Sequence, residues 1–377
     1  MDHNDNHLNK SRVELHAKDY HKKRRILAWL SCLIALLASA VCVYSAYIYF
    51  RTKDTVDDAY DAKNSVRIIK GEFNGKKKFA VLLMGSDTGA LDRKEKIGNT
   101  DTIIIVVVNP QKKRYTLMSV PRDTMAQMVG AEQFQVEKIN AAYPVGGAAM
   151  SMASVSKLVN VPIKYYVLVN MKGIMSLIRY VGGINIRPTM SFEYGGYIFK
   201  KNQLTHMGGG GALAYSRMRY DDPEGDYGRQ KRQRQVITTI IKKAVSINTL
   251  TRLDSVLSSV SGNLKTNLPF DALRQIAFNY RDSTKDVKSD YLHGHNATID
   301  GSSYQVQSTK ELQRVSDYLR SELGLPETFI NNNETYQNKR NKVDGFSFKK
   351  PDSQEYHIYK DYQDDYQDQS YQEEGDY

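Results

Sequence analysis

Residues 99–124 read NTDTIIIVVVNPQKKRYTLMSVPRDT, and the fold can be argued outward from them. Thr102–Asn109 is a β-branched run without polar interruption, the pattern of a strand buried on both faces. Asn109-Pro110 and the lysines after it form a turn, and Tyr115–Val120 returns as the next strand. Upstream, Phe79–Met84 (FAVLLM) is another short apolar run, ending in Gly-Ser-Asp. Downstream, Ala148–Val159 has helical character, Tyr165–Asn170 (YYVLVN) reads as a strand, and Met171–Val181 reads as a helix closed by Gly182-Gly183. Arg229–Ser246 is a further helix, with Val236, Ile237, Ile240, Ile241 and Ala244 on one face. Strands alternating with helices specify an α/β fold, a mixed β-sheet covered by helices on both faces.

The 377 residues divide by composition. Residues 1–25 form a basic tail, and Ile26–Phe50 is an uncharged run long enough for a membrane-spanning helix. Lys22, Lys23, Arg24 and Arg25 precede it and Asp54, Asp57, Asp58 and Asp61 follow, which places the N-terminus in the cytoplasm and residues 51–377 outside. Ala38-Ser39-Ala40 mimics a cleavage site, but the apolar run continues past it, favouring a retained single-pass anchor in the cell membrane. Residues 51–70 read as a polar stalk, 71–330 as the folded domain, and 331–377 as a disordered acidic tail rich in Tyr, Asp and Gln.

Both cysteines, Cys32 and Cys42, lie in the apolar run, which excludes a disulfide scaffold and thiol catalysis in the outer domain. The formal net charge is +11, and residues 26–351 carry +16 of positive charge against an acidic C-terminus. Such a body suits an anionic partner. A domain outside the membrane makes nucleic acid a poor candidate, leaving phospholipid or a phosphorylated ligand.

Several constellations can carry chemistry. Asp87-Thr88-Gly89 matches the aspartic-protease triplet, but no second copy exists to supply the partner carboxylate. Asp87 and Asp101 stand at the end of one strand and the start of the next, so adjacent strands would bring them to one lip of the sheet. Paired carboxylates suit Mg²⁺ or Mn²⁺ completed by phosphate oxygens, and equally suit two loop caps. Val120-Pro121-Arg122-Asp123-Thr124 projects Arg122 from a stiff turn, toward a ligand or toward Asp123. In YSRMRYDDPEGDYGRQKRQRQV, Arg217 and Arg219 share a face if extended, and Arg229 and Gln233 share a helix face. Arginine forks and a helix N-terminus fit phosphate, while the plainer reading is a solvated basic face. Asp226 stands at the entrance of that helix, as an N-cap or a proton acceptor. Gly208–Gly211 lacks the Gly-Lys-Ser/Thr of a phosphate-binding loop and reads as a turn; His293 and His295 read as exposed.

In this order, the single span, GSD, NTDTIIIVVVNP, SVPRDT and YSRMRYDDPEGDYGRQKRQRQV resemble the LytR-CpsA-Psr family, closely over residues 79–246 and extending toward 330. The resemblance implies a phosphotransferase outside the membrane of a Gram-positive bacterium. It would move a glycopolymer, wall teichoic acid or capsular polysaccharide, from a polyprenyl-pyrophosphate carrier onto peptidoglycan. Asp87 and Asp101 would hold Mg²⁺ or Mn²⁺. Arg122, Arg217, Arg219, Arg229 and Gln233 would grip the pyrophosphate, and Asp226 would be the base. Two departures stand out. Asn99 replaces the usual arginine before the second aspartate, so that one phosphate contact is either lost or supplied by Arg93 or Lys96, and four glycines replace a more polar stretch before Tyr215. The same arginines would serve a non-catalytic scaffold for the polymer or a pyrophosphatase.

Overall fold

The computed structural model describes residues 71–87, 98–246 and 260–360, with isolated positions (39, 42–44, 46–47, 60, 61, 64 and 68) nearer the N-terminus. The chain divides into two units, Met1–Asp54 and Thr55–Tyr377. Among the described residues no helix is long and apolar enough to cross a membrane. The expected span, 26–50, lies almost wholly outside them, as do Arg93, Lys96 and residues 361–377.

In the second unit the strands run β1 (Phe79–Ser86), β2 (Thr100–Asn109), β3 (Arg114–Ser119), β4 (Met125–Gln127), β5 (Val136–Lys138) and β6 (Tyr165–Asn170). Then come β7 (Ile184–Ile186), β8 (Phe192–Tyr194), β9 (Tyr197–Phe199), β10 (Thr205–Met207) and β11 (Leu264–Thr266). The last are β12 (Asp286–Tyr291), β13 (His295–Ile299), β14 (Ser302–Val306) and β15 (Gln354–Glu355). The helices are α1 (Ala142–Val159), α2 (Met171–Tyr180), α3 (Gly209–Arg217), α4 (Gly225–Ala244), α5 (Phe270–Asn279), α6 (Thr309–Leu323) and α7 (Asn333–Val343).

Six strands form the central sheet in the order β11-β6-β1-β2-β3-β12. β1 is antiparallel to β2 and parallel to β6, β2 is antiparallel to β3, and β12 is parallel to β3, so the sheet is mixed as its sequence pattern requires. The unbroken apolar run of β2 splits by alternation. Ile103, Ile105 and Val107 face a core completed by Val155 and Leu158 of α1 and by Leu312, Val315 and Leu319 of α6. Ile104, Val106 and Val108 face the other way, onto Ile237 and Ile241 of α4. Helices therefore cover both faces.

The structure departs from the sequence reading in identifiable places. The folded unit does not begin at 71. Tyr60 bridges to Thr266, Asp61 accepts a hydrogen bond from the Tyr166 hydroxyl at 2.9 Å, and Ile68 packs beside Phe73 and Phe79. Nor does it end at 330. Asn332 accepts from Thr335 N–H at 3.0 Å in a capping box that opens α7, and β15 adds to β13. Composition misleads here because α7 buries amides rather than aliphatics: Asn333, Gln337 and Asn341 are all fully buried. Gln337 and Asn341 spend their amides on main chain, apart from one donation from Gln337 Nε2 to Asn333 Oδ1 at 2.9 Å. Each exchanges a pair of hydrogen bonds with a residue of the following extended segment, Gln337 with Tyr359 (2.7 and 2.8 Å) and Asn341 with His357 (2.8 and 2.7 Å).

Gly208–Gly211 is not a free turn but the entry to α3. A Cβ on Gly209 would sit 2.7 Å from the Met175 carbonyl oxygen, and one on Gly210 2.6 Å from the Tyr197 hydroxyl. The glycines let α3 lie against α2 and the β8–β9 hairpin. The helix expected from Arg229 starts earlier, at Gly225.

Candidate active site

The C-terminal ends of β1, β6, β3 and β12 and the start of β2 share one lip of the sheet, because Ser86 pairs with Thr100 and Asn170, and Ser119 lies opposite Tyr291. Ligands of open α/β sheets bind beyond the carboxyl ends of strands. The register of β1 and β2 slips between Gly85–Thr102 and Ser86–Thr100, which makes Asp101 the extra residue of a bulge. A bulge re-aims its side chain and bends the strand end. Asp87 follows Ser86 directly, so both carboxylates belong to the same corner on strands ~5 Å apart.

Asp101 is engaged by the turn after β3. Arg122 donates from Nη1 to Asp101 Oδ1 at 2.8 Å, and its Nε stands 3.5 Å from Asp123. Asp101, rather than the neighbouring Asp123, is therefore its principal acid. On α4, Arg229 Nη2 lies 2.6 Å from Asp226 Oδ1, and the other Asp226 oxygen accepts from Gln230 Nε2 at 2.8 Å. Asp226 is not the N-cap. Glu224 holds that position without a side-chain cap, and Asp226 lies inside the first turn.

The two pairs feel each other. Burial alone would pull the Arg122 guanidinium down, but the Asp101 hydrogen bond and the charges of Asp101, Asp123 and Asp226 hold it above the ordinary arginine value. For Arg229 burial wins: with Arg122 and Arg219 also pressing on it, its guanidinium falls below the ordinary value despite Asp226 and Asp101. Arg229 is only 7% exposed, and its Nε has no hydrogen-bond acceptor; the buried Nε of Arg122 also lacks one. A buried donor without an acceptor costs about 1–3 kcal/mol. Cations so crowded, with unspent donors, fit an anion of the phosphate class.

Arg217 and Arg219 complete the rim, though not on a common extended face. Arg217 ends α3 and places Nη1 3.5 Å from Met171 Sδ, while Arg219 follows in the turn and stacks on Tyr220 at 4.8 Å. Neither makes a carboxylate ion pair among the described residues, in contrast to Arg122 and Arg229. Gln233, one turn beyond Arg229, is half-buried.

Arg232, which the sequence reading passed over, holds this rim. It is 1% exposed, donates from Nε to the Tyr215 carbonyl at 3.1 Å, bonds to the Met218 carbonyl, pairs with Asp222, and lies over the Phe192 ring. Arg234, also buried, donates to Ser119 Oγ (2.8 Å) and Ser289 Oγ (2.6 Å), fixing α4 to the ends of β3 and β12. Spacing alone held the signal: on a helix, Arg229 and Arg232 are near neighbours, whereas Lys231 points out and is exposed. Of the two histidines expected to be exposed, His293 is, with its ring centroid 4.0 Å from that of Tyr291, whereas His295 is half-buried at the start of β13.

Among the described residues no group of three or more metal-ligating side chains occurs. Two carboxylates at one bulged corner, beside a phosphate-class site, nevertheless fit Mg²⁺, which takes one or two carboxylates together with phosphate oxygens and water.

The chain is similar to proteins of known sequence and structure. A polyisoprenyl-teichoic acid–peptidoglycan teichoic acid transferase, TagU, of Enterococcus faecalis is 40% identical over 302 residues, covering 80% of this chain and 98% of that protein. The crystal structure of Bacillus subtilis TagU superposes with a TM-score of 0.54 at 35% identity, covering 66% of this chain and 97% of that one. A structure of TagT bound to LIIa-WTA superposes with a TM-score of 0.57 at 25% identity, covering 71% of this chain and 99% of that one. The model of the LytR_cpsA_psr family matches residues 44–321, and the chain belongs to that family.

Proposed function

We propose that this protein is a membrane-tethered glycopolymer phosphotransferase. It takes wall teichoic acid or capsular polysaccharide from a polyprenyl-pyrophosphate carrier and joins it to a sugar hydroxyl of peptidoglycan. One observation carries the reading. Arg229 is buried among other cations at the sheet lip with an unspent donor, a setting completed by a pyrophosphate. The teichoic acid transferases of E. faecalis and B. subtilis, its relatives over nearly their full lengths, support the same polymer class.

Arg122, Arg217, Arg219 and Arg229 take the pyrophosphate oxygens, with Gln233 adding a neutral donor. Mg²⁺ or Mn²⁺, held by Asp87 and Asp101, would neutralise charge on the same oxygens. Phosphoryl transfer needs positioning and charge neutralisation more than covalent help from the protein. The acceptor hydroxyl oxygen bonds to the polymer-side phosphorus, the bridging P–O bond breaks, and polyprenyl phosphate leaves with the electron pair. Asp226 aims Arg229 and is the carboxylate offered to the hydroxyl proton. Both of its oxygens are already engaged, one by Arg229 and one by Gln230, so its share of the rate enhancement is small.

The test is transfer of a lipid-linked polymer to peptidoglycan oligomers by the purified full-length protein with Mg²⁺. Coupled product is expected. Donor binding without transfer would replace the enzyme with a scaffold, and release of polymer phosphate without coupling would make it a pyrophosphatase.

A further inference from the structure

A surface outside the site lies on the small apolar substructure that carries α3. Its β8–β9 hairpin turns through Gly195 and Gly196, whose φ values of 59° and 77° are the positive ones a two-residue hairpin needs. Alternation sends Phe192 and Phe199 inward, with ring centroids 5.8 and 5.3 Å from that of Tyr215. It sends Ile198 outward, 67% exposed, with Tyr197 at 45% and Leu204 at 55%. Lys200 and Lys201 are exposed between them. Arg187, also exposed, donates to the Asn202 carbonyl at 3.0 Å and so belongs to the same loop. Glu193 is the only acid between residues 187 and 204.

Single exposed apolar residues are ordinary on protein surfaces. Here three stand within eight residues of chain, rimmed by three cations, on a loop whose main chain is tied down. Lys201 N–H donates to Ser191 Oγ at 2.9 Å and Asn202 N–H to the Pro188 carbonyl at 2.8 Å. Apolar tips beside lysines match the boundary of a bilayer, where hydrocarbon lies below and anionic phosphate above. We propose that the β8–β9 hairpin and the 200–204 turn form a peripheral contact surface for an anionic lipid bilayer.

The placement gives the contact a use. Tyr197 lies over the first turn of α3, and Arg217 ends that helix ~10 Å away at 1.5 Å per residue. A hairpin resting at headgroup level holds the arginine rim within reach of a phosphate at that level. The surface goes beyond the transferase reading and does not need it, since a scaffold for lipid-linked polymer would use it equally.

The test places a nitroxide at Ile198→Cys in the full-length chain, with Cys32→Ser and Cys42→Ser, reconstituted into phosphatidylglycerol–phosphatidylcholine vesicles. Collision with oxygen is compared with collision with a water-soluble nickel chelate, and Ser303→Cys on exposed β14 is the reference. The label at 198 is expected to favour oxygen while that at 303 favours nickel, and Lys200→Glu with Lys201→Glu should raise nickel collision at 198 several-fold. Equal, nickel-dominated collision at the two positions overturns the proposal. Shielding at 198 that grows with protein concentration in detergent identifies a second copy of the chain as the occupant, and also overturns it. None of these readings involves transfer, so their failure and that of the proposed chemistry remain separate results.

Discussion

Among the described residues Arg232 is the bulkiest fully buried side chain, and its charge is answered by Asp222 and by the carbonyls of Tyr215, in the last turn of α3, and Met218, just after it. Removing Asp222 strands that charge in the interior. Asp222→Ala should cost about 3–5 kcal/mol, measured by thermal or urea unfolding. A Cβ at Gly228 would overlap the Asp222 carboxylate, so Gly228→Ala should act through the same pair and weaken donor binding as well as stability. Arg229→Lys tests the site itself. A point charge cannot replace a fork, and affinity for a polyprenyl-pyrophosphate analogue should fall roughly tenfold by calorimetry, with unfolding little changed; unchanged affinity would remove Arg229 from the site. Asp226→Asn should weaken binding, because it frees Arg229 from its partner, and also slow turnover modestly, because the proton acceptor is gone; unchanged turnover at saturating donor would leave Asp226 a positioning residue only. Strand ends joined Asp87 to Asp101 and helix spacing joined Asp226 to Arg229, whereas only the family resemblance brought Arg122 to the same site. Arg232 escaped because RQKRQR has the same composition whether its arginines face ligand, solvent or interior.

Elements were legible where burial is apolar and periodic. β1, β2, β3 and β6 lie where FAVLLM, TIIIVVVN, YTLMSV and YYVLVN predict, and α1 is regular only after Gly146 and Gly147, from the expected Ala148. Two elements were not legible. α3 opens on glycines that are selected by close approach to Met175 and Tyr197, a tertiary reason that no local pattern carries. α7 buries Asn333, Gln337, Asn338 and Asn341, and a polar composition with a buried face looks like disorder until its partners are known. Gln337→Ala leaves the N–H and C=O of Tyr359 without their partner, and should cost about 1–3 kcal/mol with loss of amide protection at Tyr359 by hydrogen exchange. Retained protection there would mean that β15 alone holds the segment.

At the scale of the molecule, the folded unit extends from Tyr60 to Lys360, wider at both ends than the 71–330 expected from composition. Truncation after residue 330 would strip Phe346 and Tyr356 from the core around β13 and β14, and Glu334 from the Gln127 N–H that it accepts at 2.8 Å. Such a chain should melt ~10 °C lower or fail to fold, as calorimetry would show. The charge asymmetry around residues 26–50 predicts that protease added to intact protoplasts destroys the domain; a protected domain would put it on the cytoplasmic side. The α7 amides have an evolutionary consequence. Gln337 and Asn341 read only the peptide groups of residues 359 and 357, so the attachment asks little of the exposed side chain at His357. Proline is the exception at either position, for it has no N–H to give. Drift in the held segment can therefore outrun drift in its holders. Among kin that share this extension, glutamine and asparagine should persist on the helix while the residue at 357 changes freely.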